Sequence, residues 1–275
     1  MRRLGDALAA GLILLALLVL LFPVAWLIGT SFKAPVEYGA YPPTLVPLRP
    51  TLESYRNAFT RFDAEVYLRN TVIVAVSSTA VACALGTLGA YSLVRFRYPG
   101  RGLIAFVILA LRMFPVVVIA IPLFTILKAL GLLNTYWALV LAYQLFLVPF
   151  VVWMMKGFFE ELPAELEEAA LVDGCSRLGA FARIALPLSA PGLAATATFC
   201  LLLSWNEFLA PLLFTQSRAV QPVSLLFANF IDPGRGIQWG ELAALGTIGI
   251  LPILLLAFLL QRYLVRGLSL GAVKG

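Results

Sequence analysis

The acidic side chains of this chain are concentrated in one short stretch. Six of the fourteen acids lie between Lys156 and Arg183. The six are Glu160, Glu161, Glu165, Glu167, Glu168 and Asp173. Against the three basic residues Lys156, Arg177 and Arg183 they give the stretch a net charge of minus three. Two interpretations fit this charge, a solvated acidic face and a docking surface for a basic partner.

Arg112 interrupts an otherwise apolar run in the sequence Arg112-Met113-Phe114-Pro115. It lies about ten helical residues after Gly102, which is roughly 15 Å and near the midplane of a bilayer. An arginine at that depth costs about 2.5 to 3.5 kcal/mol, so it should face a polar cavity or a partner. Pairing between helices across a subunit boundary and a place in a translocation pathway are both open.

A second ionisable residue, Glu207, ends the sequence Ser204-Trp205-Asn206-Glu207. Counted from Ala190, it lies about 25 Å along a helix, towards the outer face of a bilayer. Trp205, Asn206 and Glu207 could stack on and hydrogen-bond a polyol, or could cap helix contacts. With Arg112, they are the residues that we consider for a translocation pathway.

Catalytic and metal-binding patterns are missing from the sequence. The chain has no histidine, which excludes a Ser/His/Asp triad, a histidine zinc site and a histidine proton relay. Cys83, Cys175 and Cys200 have neither disulfide nor metal spacing. No Walker A motif occurs, so any ATP must bind to another chain. We predict no catalytic residue, no cofactor and no metal on this chain.

The composition is that of an integral membrane protein. Of its 275 residues, 61% are hydrophobic and 12% charged, and the mean hydropathy is +0.95. Backbone groups in lipid must pair within the segment, so apolar runs of about 20 residues predict helices. The runs are 7–29, 70–94, 102–127 (interrupted by Arg112), 136–155, 187–214 (interrupted by Glu207) and 242–260. The prediction is an all-α fold of six transmembrane helices in membrane lipid, and the net charge of +6 requires no nucleic acid.

Basic residues near both ends set the predicted orientation. Arg2 and Arg3 precede the first span, and Arg262, Arg266 and Lys274 follow the last. Both the N and the C terminus are therefore predicted to be cytoplasmic. The first apolar run is longer than that of a cleaved signal peptide, so we expect it to remain as an anchor.

Two further features predict packing, one in the segment after the first span and one within the second span. The external segment 32–69 is rich in proline in its first half, while Leu52, Tyr55, Phe59 and Phe62 have helical spacing in its second half. In the second span, Ser78, Ala82, Gly86 and Ala90 recur every four residues. Such a stripe of small residues lets another helix approach, from this chain or from a partner subunit.

The acidic stretch predicts two short helices separated by a break. Pro163 suits the first turn of a helix, and Gly174 suits its end. A second helix is expected from Arg177 to Pro187, with Leu178, Phe181 and Ala185 on one face.

One segment of this stretch resembles a known motif. The sequence EAALVDGCSRLGAFARIALP, residues 168–187, resembles the EAA loop of the membrane subunits of ABC importers. The matching positions are Glu168, Ala169, Ala170, Asp173, Gly174, Phe181, Ile184, Leu186 and Pro187, while Cys175 replaces the usual alanine. Stretches such as RMFPVVVIAIPLF and SWNEFLAPLLF extend the resemblance to the carbohydrate-uptake branch, where the chain is similar to the maltose-type second permeases.

The resemblance implies a fold, an organisation and partners. The fold would be that of a type I ABC importer permease (MetI-like), with an N-terminal transmembrane helix at 1–31 and an external loop at 32–67. A transmembrane domain at 68–262 would carry the EAA loop at about 156–187, before a cytoplasmic tail at 263–275. The partners would be a second homologous permease, an extracytoplasmic sugar-binding protein and an ATPase dimer that binds ATP and Mg. The EAA residues would dock into that ATPase. This chain would lie in the bacterial inner (plasma) membrane.

The implied function is sugar import, with a di- or oligosaccharide such as maltose or trehalose as substrate. Close relatives in the branch carry glycerol phosphates, which leaves that substrate class open. From the residues alone, Arg112 and Glu207 also motivate a proton-coupled secondary transporter.

Overall fold

The chain is built almost entirely of helices. The computed structural model describes the backbone of residues 2–113, 115–232 and 236–272. Its helices are α1 (Arg2–Ser31), α2 (Glu53–Thr60), α3 (Ala64–Arg95), α4 (Arg101–Leu111), α5 (Val116–Ala129), α6 (Tyr136–Glu161), α7 (Glu165–Val172), α8 (Arg177–Ala180), α9 (Leu186–Leu188), α10 (Ala190–Trp205), α11 (Leu209–Phe214), α12 (Val223–Asn229) and α13 (Trp239–Ala272). A 3-10 turn covers Pro35–Glu37, a π-helical turn covers Phe181–Ala185, and the short antiparallel strands β1 (Ile231–Asp232) and β2 (Gly236–Ile237) form a hairpin.

Among the described residues, three helices are each long and apolar enough to cross a membrane: the Leu8–Ser31 part of α1, α3 and α6. A fourth crossing is available from α8, α9 and α10, which are bent by 76° at Ser189. The third and sixth predicted spans contain the shorter apolar helices α4, α5 and Trp239–Leu255. The helical membrane fold predicted from composition is confirmed, although the six spans are not six uniform helices.

The third predicted span is broken. α4 ends at Leu111, Arg112 caps it, and α5 starts after Pro115. Proline lacks an N–H, and in a helix its ring would clash with the carbonyl of the residue four positions earlier, here Leu111, so the first helix stops. The expectation of one helix with Arg112 along its length was therefore wrong.

The fifth predicted span is broken as well, between Trp205 and Leu209. Asn206 caps α10 through a hydrogen bond from its backbone N–H to Leu202 O. α11 then begins at Leu209. The run 187–214 is thus not a single helix, and the polar residues of the sequence pattern lie at the break.

α6 forms the centre of the larger of two compact units, which comprises Tyr67–Leu225 and Ile253–Gly275. Its side chains Tyr143, Leu147, Val151, Met155 and Phe159 are all fully buried. They pack with α3, α10 and the loop that follows α6.

The stripe of small residues on α3 faces α6. Ser78, Ala82 and Ala90 are fully buried. A Cβ placed on Gly86 would lie 2.6 Å from the Cβ of Val151, which shows how closely the two helices approach. The stripe therefore makes a contact inside this chain, one of the two alternatives that the sequence left open.

The other unit comprises Met1–Val66 and Leu226–Pro252. Its proline-rich segment is held by Glu37, whose carboxylate accepts hydrogen bonds from the backbone N–H of Leu48 at 2.9 Å and of Arg49 at 3.1 Å. The bond from Leu48 lowers the pKa of Glu37 below its ordinary value, and burial opposes this effect. The predicted helix in the second half of the segment is α2, and its Asn57 donates to Glu241 of α13 at 3.0 Å.

The predicted tail at 263–275 continues α13 as far as Ala272, and its last three residues lie outside the described residues. The remaining domain boundaries given above stay predictions.

Candidate functional site

The acidic stretch folds as a helix, a tight turn and a second helical arm. α7 begins after Pro163 and Ala164, with Glu165, Glu167 and Glu168 in its first turn, where the positive end of the helix dipole favours acids. It ends at Val172 with Asp173 as its C-cap, and the next residue, Gly174, has a φ of +88° in the left-handed region. The N–H groups of Gly174 and Cys175 bond back to Leu171 O and Ala170 O, as in a Schellman cap. The glycine is required by this backbone angle.

α7 has two different faces. Glu167 and Ala170 are buried against the rest of the unit, while Glu168, Ala169, Asp173 and Gly174 are exposed. Val172 is 87% exposed, although it is a large apolar residue. Within the described part of the chain, neither Glu168 nor Asp173 forms a salt bridge. The outward face therefore combines free carboxylates with small and apolar side chains.

Glu167 fixes the inward face to the end of α3. Its Oε1 accepts from Arg95 Nε at 2.7 Å, and its Oε2 accepts from Tyr91 Oη at 2.5 Å. The Nη2 of Arg95 also donates to Leu162 O at 2.8 Å, just before α7. Both charged side chains are buried or nearly so. A buried ion pair with this many hydrogen bonds holds a defined geometry, whereas a single exposed pair would not.

The sequence reasoning missed this ion pair, although a signal for it exists. Glu167 lies three residues before Ala170 and four before Leu171, so on a helix it shares a face with two apolar residues. Tyr91 and Arg95 are one turn apart at the cytoplasmic end of the second predicted span and therefore share a face. A buried acid in a loop needs a partner of this kind.

The second arm packs against Tyr91 of α3, the residue that also donates to Glu167. Ser176 caps α8 by accepting from Gly179 N, and the π-helical turn Phe181–Ala185 follows. The ring of the buried Phe181 lies 4.7 Å from that of Tyr91. Ile184 is half-buried and Pro187 is exposed. Of the three residues predicted to share one face, Phe181 and Ala185 are buried, while Leu178 is 69% exposed.

Arg112 lies at the break between α4 and α5. It is exposed in the single chain, and its guanidinium lies 5.2 Å from the ring centre of Phe150 on α6. A small cavity of about 70 Å³ adjoins it, lined mainly by apolar residues of α5, α6 and α11. The attraction between a cation and an aromatic face offsets part of the free-energy cost of an arginine at this depth.

Trp205, Asn206 and Glu207 lie at the other break. Trp205 and Glu207 are half-buried and Asn206 is exposed. The carboxylate of Glu207 accepts from Ala210 N at 3.0 Å and so caps the start of α11. Ser224 donates to the backbone oxygen of Glu207 at 2.7 Å. These three residues do not line the cavity beside Arg112, so the four pathway candidates form two separate groups.

Among the residues that the structure describes, no group of three or more potential ligands could hold a metal ion. The polar geometry of this chain is that of anchored helices and exposed loop carboxylates. Over the residues described here, it provides no nucleophile with a neighbouring base.

Comparison with known proteins identifies the family of this chain. A model described as "Binding-protein-dependent transport system inner membrane component" matches residues 64–270. The chain belongs to this family. It is a membrane protein, the permease subunit of an ABC importer, and not an enzyme. The matched range contains both helix breaks and the whole EAA loop.

Two relatives extend over nearly the full length of the chain. The sulfoquinovosyl glycerol transport system permease of Agrobacterium fabrum is 36% identical over 259 residues, covering 93% of this chain and 89% of that protein. The trehalose/maltose transport system permease of Thermococcus litoralis is 36% identical over 267 residues, covering 96% and 95%. The resemblance to the carbohydrate-uptake branch is confirmed.

The fold has a counterpart among solved structures. A chain of a bacterial ABC transporter that imports the acidic polysaccharide alginate superposes with a TM-score of 0.82. The two are 20% identical, and the match covers 95% of this chain and 96% of that one. The MetI-like fold expected from the EAA motif is thus confirmed.

Proposed function

We propose that this chain forms half of the translocation pathway of an ATP-driven sugar importer in the bacterial inner membrane, and that α7 docks into a cytoplasmic ATPase dimer. The outward face of α7 is the observation that carries the proposal. Glu168 and Asp173 have no salt-bridge partner among the described residues, and Val172 next to them is almost fully exposed. A helix with exposed carboxylates beside small and apolar residues fits a basic, apolar groove on another protein.

The ATPase would supply the reaction that this chain lacks. It would bind ATP and Mg, and its closure would move α7 with the rest of the membrane subunit. Movement of a docked helix can open a central cavity alternately to the two sides of the membrane, provided the helix is rigidly joined to the spans. The buried contacts of Glu167 and Phe181 support such a connection.

Two further partners belong to the proposal. A second homologous permease would complete the pathway, and the apolar surface of α1, whose membrane-spanning window is unburied in this chain, is available to lipid or to that subunit. An extracytoplasmic sugar-binding protein would deliver the substrate. The family description, which names binding-protein-dependent transport, supports this partner.

The substrate is proposed to be a di- or oligosaccharide such as trehalose or maltose. The basis is the similarity to the trehalose/maltose permease over nearly the whole chain. Arg112, Trp205, Asn206 and Glu207 are proposed to line the pathway. Helix breaks with polar residues at membrane depth are typical of transport sites, because only there can unpaired backbone face a cavity.

Charge reversal at the outward face tests the docking proposal. Glu168→Lys should reduce the copurified Mg·ATPase activity at least tenfold, as expected for about 1.4 kcal/mol or more lost at an interface charge pair. Glu161→Lys is the matched control, because Glu161 is also an exposed acid but ends α6, outside the EAA motif. Normal insertion is checked by the yield from membranes. Retention of the ATPase by Glu168→Lys would contradict the proposal.

Uptake into proteoliposomes tests the pathway and the substrate. With the importer and its binding protein, labelled trehalose or maltose should enter only when ATP is present, and Trp205→Ala should lower that uptake several-fold at unchanged ATPase content. The loss of a stacking ring would account for about 1 kcal/mol or more. Uptake of glycerol phosphates with neither sugar transported would contradict the substrate, and uptake driven by a pH gradient without ATP would support a secondary transporter.

A further inference from the structure

The EAA loop is connected to α3 at both of its arms. Glu167 of α7 bonds to Tyr91 and Arg95, and Phe181 of the second arm stacks on Tyr91. Arg95 also holds Leu162 O at the start of the loop. Within the described chain, three successive points of the loop therefore contact one turn of one transmembrane helix.

The opposite end of α3 carries a second buried polar network. Nδ2 of the fully buried Asn70 donates to the backbone oxygens of Arg218 and Gln221, each at 2.9 Å. Oδ1 of Asn70 accepts from Tyr136 Oη at 2.6 Å, and Thr71 Oγ1 accepts from Val223 N at 2.8 Å. This end of α3 is thus bonded to the segment between α11 and α12.

The helix between these networks is continuous. From Thr71 to Arg95 it rises about 36 Å, enough to cross a bilayer. Its small-residue stripe packs against α6 so closely that a Cβ at Gly86 would meet Val151. Close-packed contacts of this kind have low compressibility and transmit strain.

We propose that α3 transmits a displacement of α7 to the segment 215–222 at the far end of α3, and that Glu167 is the positioning residue that joins α7 to α3. This inference rests on the proposed docking of α7 to an ATPase. Coupling between distant sites runs through packed side chains, hydrogen-bond networks and rigid helices, and α3 supplies all three. Glu168 faces the partner, and its neighbour Glu167 transmits the movement.

A substitution at Glu167 should separate binding of the ATPase from the nucleotide-dependent movement at the far end of α3. In Glu167→Gln the side chain keeps its size but loses its charge, so the bonds to Arg95 and Tyr91 weaken while the outward face of α7 is unchanged. The ATPase should then bind normally, and nucleotide should no longer alter the far end of α3. Tyr91→Phe removes only the hydroxyl donor to Glu167 and keeps the ring against Phe181, and it should have a smaller effect in the same direction.

The experiment uses the purified importer in lipid nanodiscs, with Gln216→Cys in a Cys175→Ser background. Gln216 is exposed, and its backbone N–H bonds to Asn134 Oδ1, which the substitution leaves in place. The rate of maleimide labelling at position 216 is measured with and without Mg·ATP and orthovanadate. Glu161→Gln is the matched control, since it removes the same charge from an exposed site at the end of α6.

The unsubstituted importer and Glu161→Gln should show a nucleotide-dependent change in labelling rate, and Glu167→Gln should reduce that change about tenfold at unchanged ATPase content, as for a lost hydrogen bond to a charged group. A full change in Glu167→Gln would overturn the role of α3 while leaving docking intact. Loss of the ATPase from Glu167→Gln would also overturn it, because Glu167 would then act in docking. Absence of ATPase from the unsubstituted importer would overturn both proposals.

Discussion

Gly174 is constrained by its backbone angle and not by crowding. Its φ is +88°, and a Cβ added there would meet nothing within 4 Å in the described chain. An L-residue in this region costs about 1 to 2 kcal/mol, so Gly174→Val should loosen the end of α7, and Gly174→Asn should do so less. Hydrogen exchange at the amides of Gly174 and Cys175 should be faster in the valine variant, with transport lost and insertion normal.

Gly157→Ala is the matched control for this prediction. Gly157 lies inside α6, its added Cβ also meets nothing, and its φ is not positive. Alanine should there be neutral or slightly stabilising, by about 0.5 to 1 kcal/mol. Equal exchange rates in Gly174→Val and the unsubstituted protein would show that the angle at residue 174 is not limiting.

At the scale of residues, spacing predicted the exposed half of the site better than the buried half. Glu168, Ala169, Asp173 and Gly174 form a continuous motif, and the structure places all four on one exposed loop. Glu167 and Arg95 are 72 positions apart, and no local pattern joins them. Their pairing depends on how α3 packs against the loop, which is a tertiary contact and not a property of either segment.

At the scale of elements, α3 and α6 show how a glycine sets the separation of two helices. A Cβ on Gly86 would lie 2.6 Å from the Cβ of Val151, so Gly86→Ala must push the helices apart. Overpacking of this kind typically costs about 1 to 3 kcal/mol. The expected result is a lower apparent melting temperature of the purified protein in detergent.

Gly89 offers the control on the same helix. A Cβ there would lie 3.4 Å from Val152 Cγ2, which is ordinary van der Waals contact. Gly89→Ala should therefore leave the melting temperature unchanged or raise it slightly. If the two variants melted alike, the close approach at Gly86 would not determine the stability of the helix pair.

The helix breaks show what composition leaves undetermined. Arg112 and Glu207 interrupted the apolar runs, but charge alone did not reveal that the helices end there. Pro115 stops α4 and starts α5, and a carboxylate accepting from Ala210 N begins α11. Both are local signals of proline and capping, so these ends were predictable in kind. The packing of α11 against α5 and α6 is a tertiary contact, which these local signals do not predict.

At the scale of the whole molecule, the predicted orientation can be tested directly. Tyr41 is 97% exposed in the external segment, and Leu178 is exposed in the EAA loop. In a Cys175→Ser background, Tyr41→Cys should react with a membrane-impermeant maleimide on intact cells, and Leu178→Cys only after permeabilisation. Cys83 and Cys200 lie within helices of the spans and serve as the unlabelled background. The reverse pattern would invert the chain and place the EAA loop outside.

Much of the overall architecture was accessible from the sequence. Among the described residues, each helix long and apolar enough to cross a membrane falls on a predicted apolar run, and the stripe at Ser78, Ala82, Gly86 and Ala90 marked a packing surface. Its partner was ambiguous, because small residues allow close approach to any helix. Only the structure assigns that surface to α6.

The π-helical turn at Phe181–Ala185 has a consequence for how the loop can evolve. Surface loops usually tolerate insertions and deletions, because the packing of the core does not depend on their length. A π turn holds one residue more than an α-helical turn, so removing one residue here would restore regular helix and rotate Phe181 by about 100° relative to α10. The ring would then leave Tyr91. The number of residues between Gly174 and Ser189 should therefore be as tightly fixed as their identities.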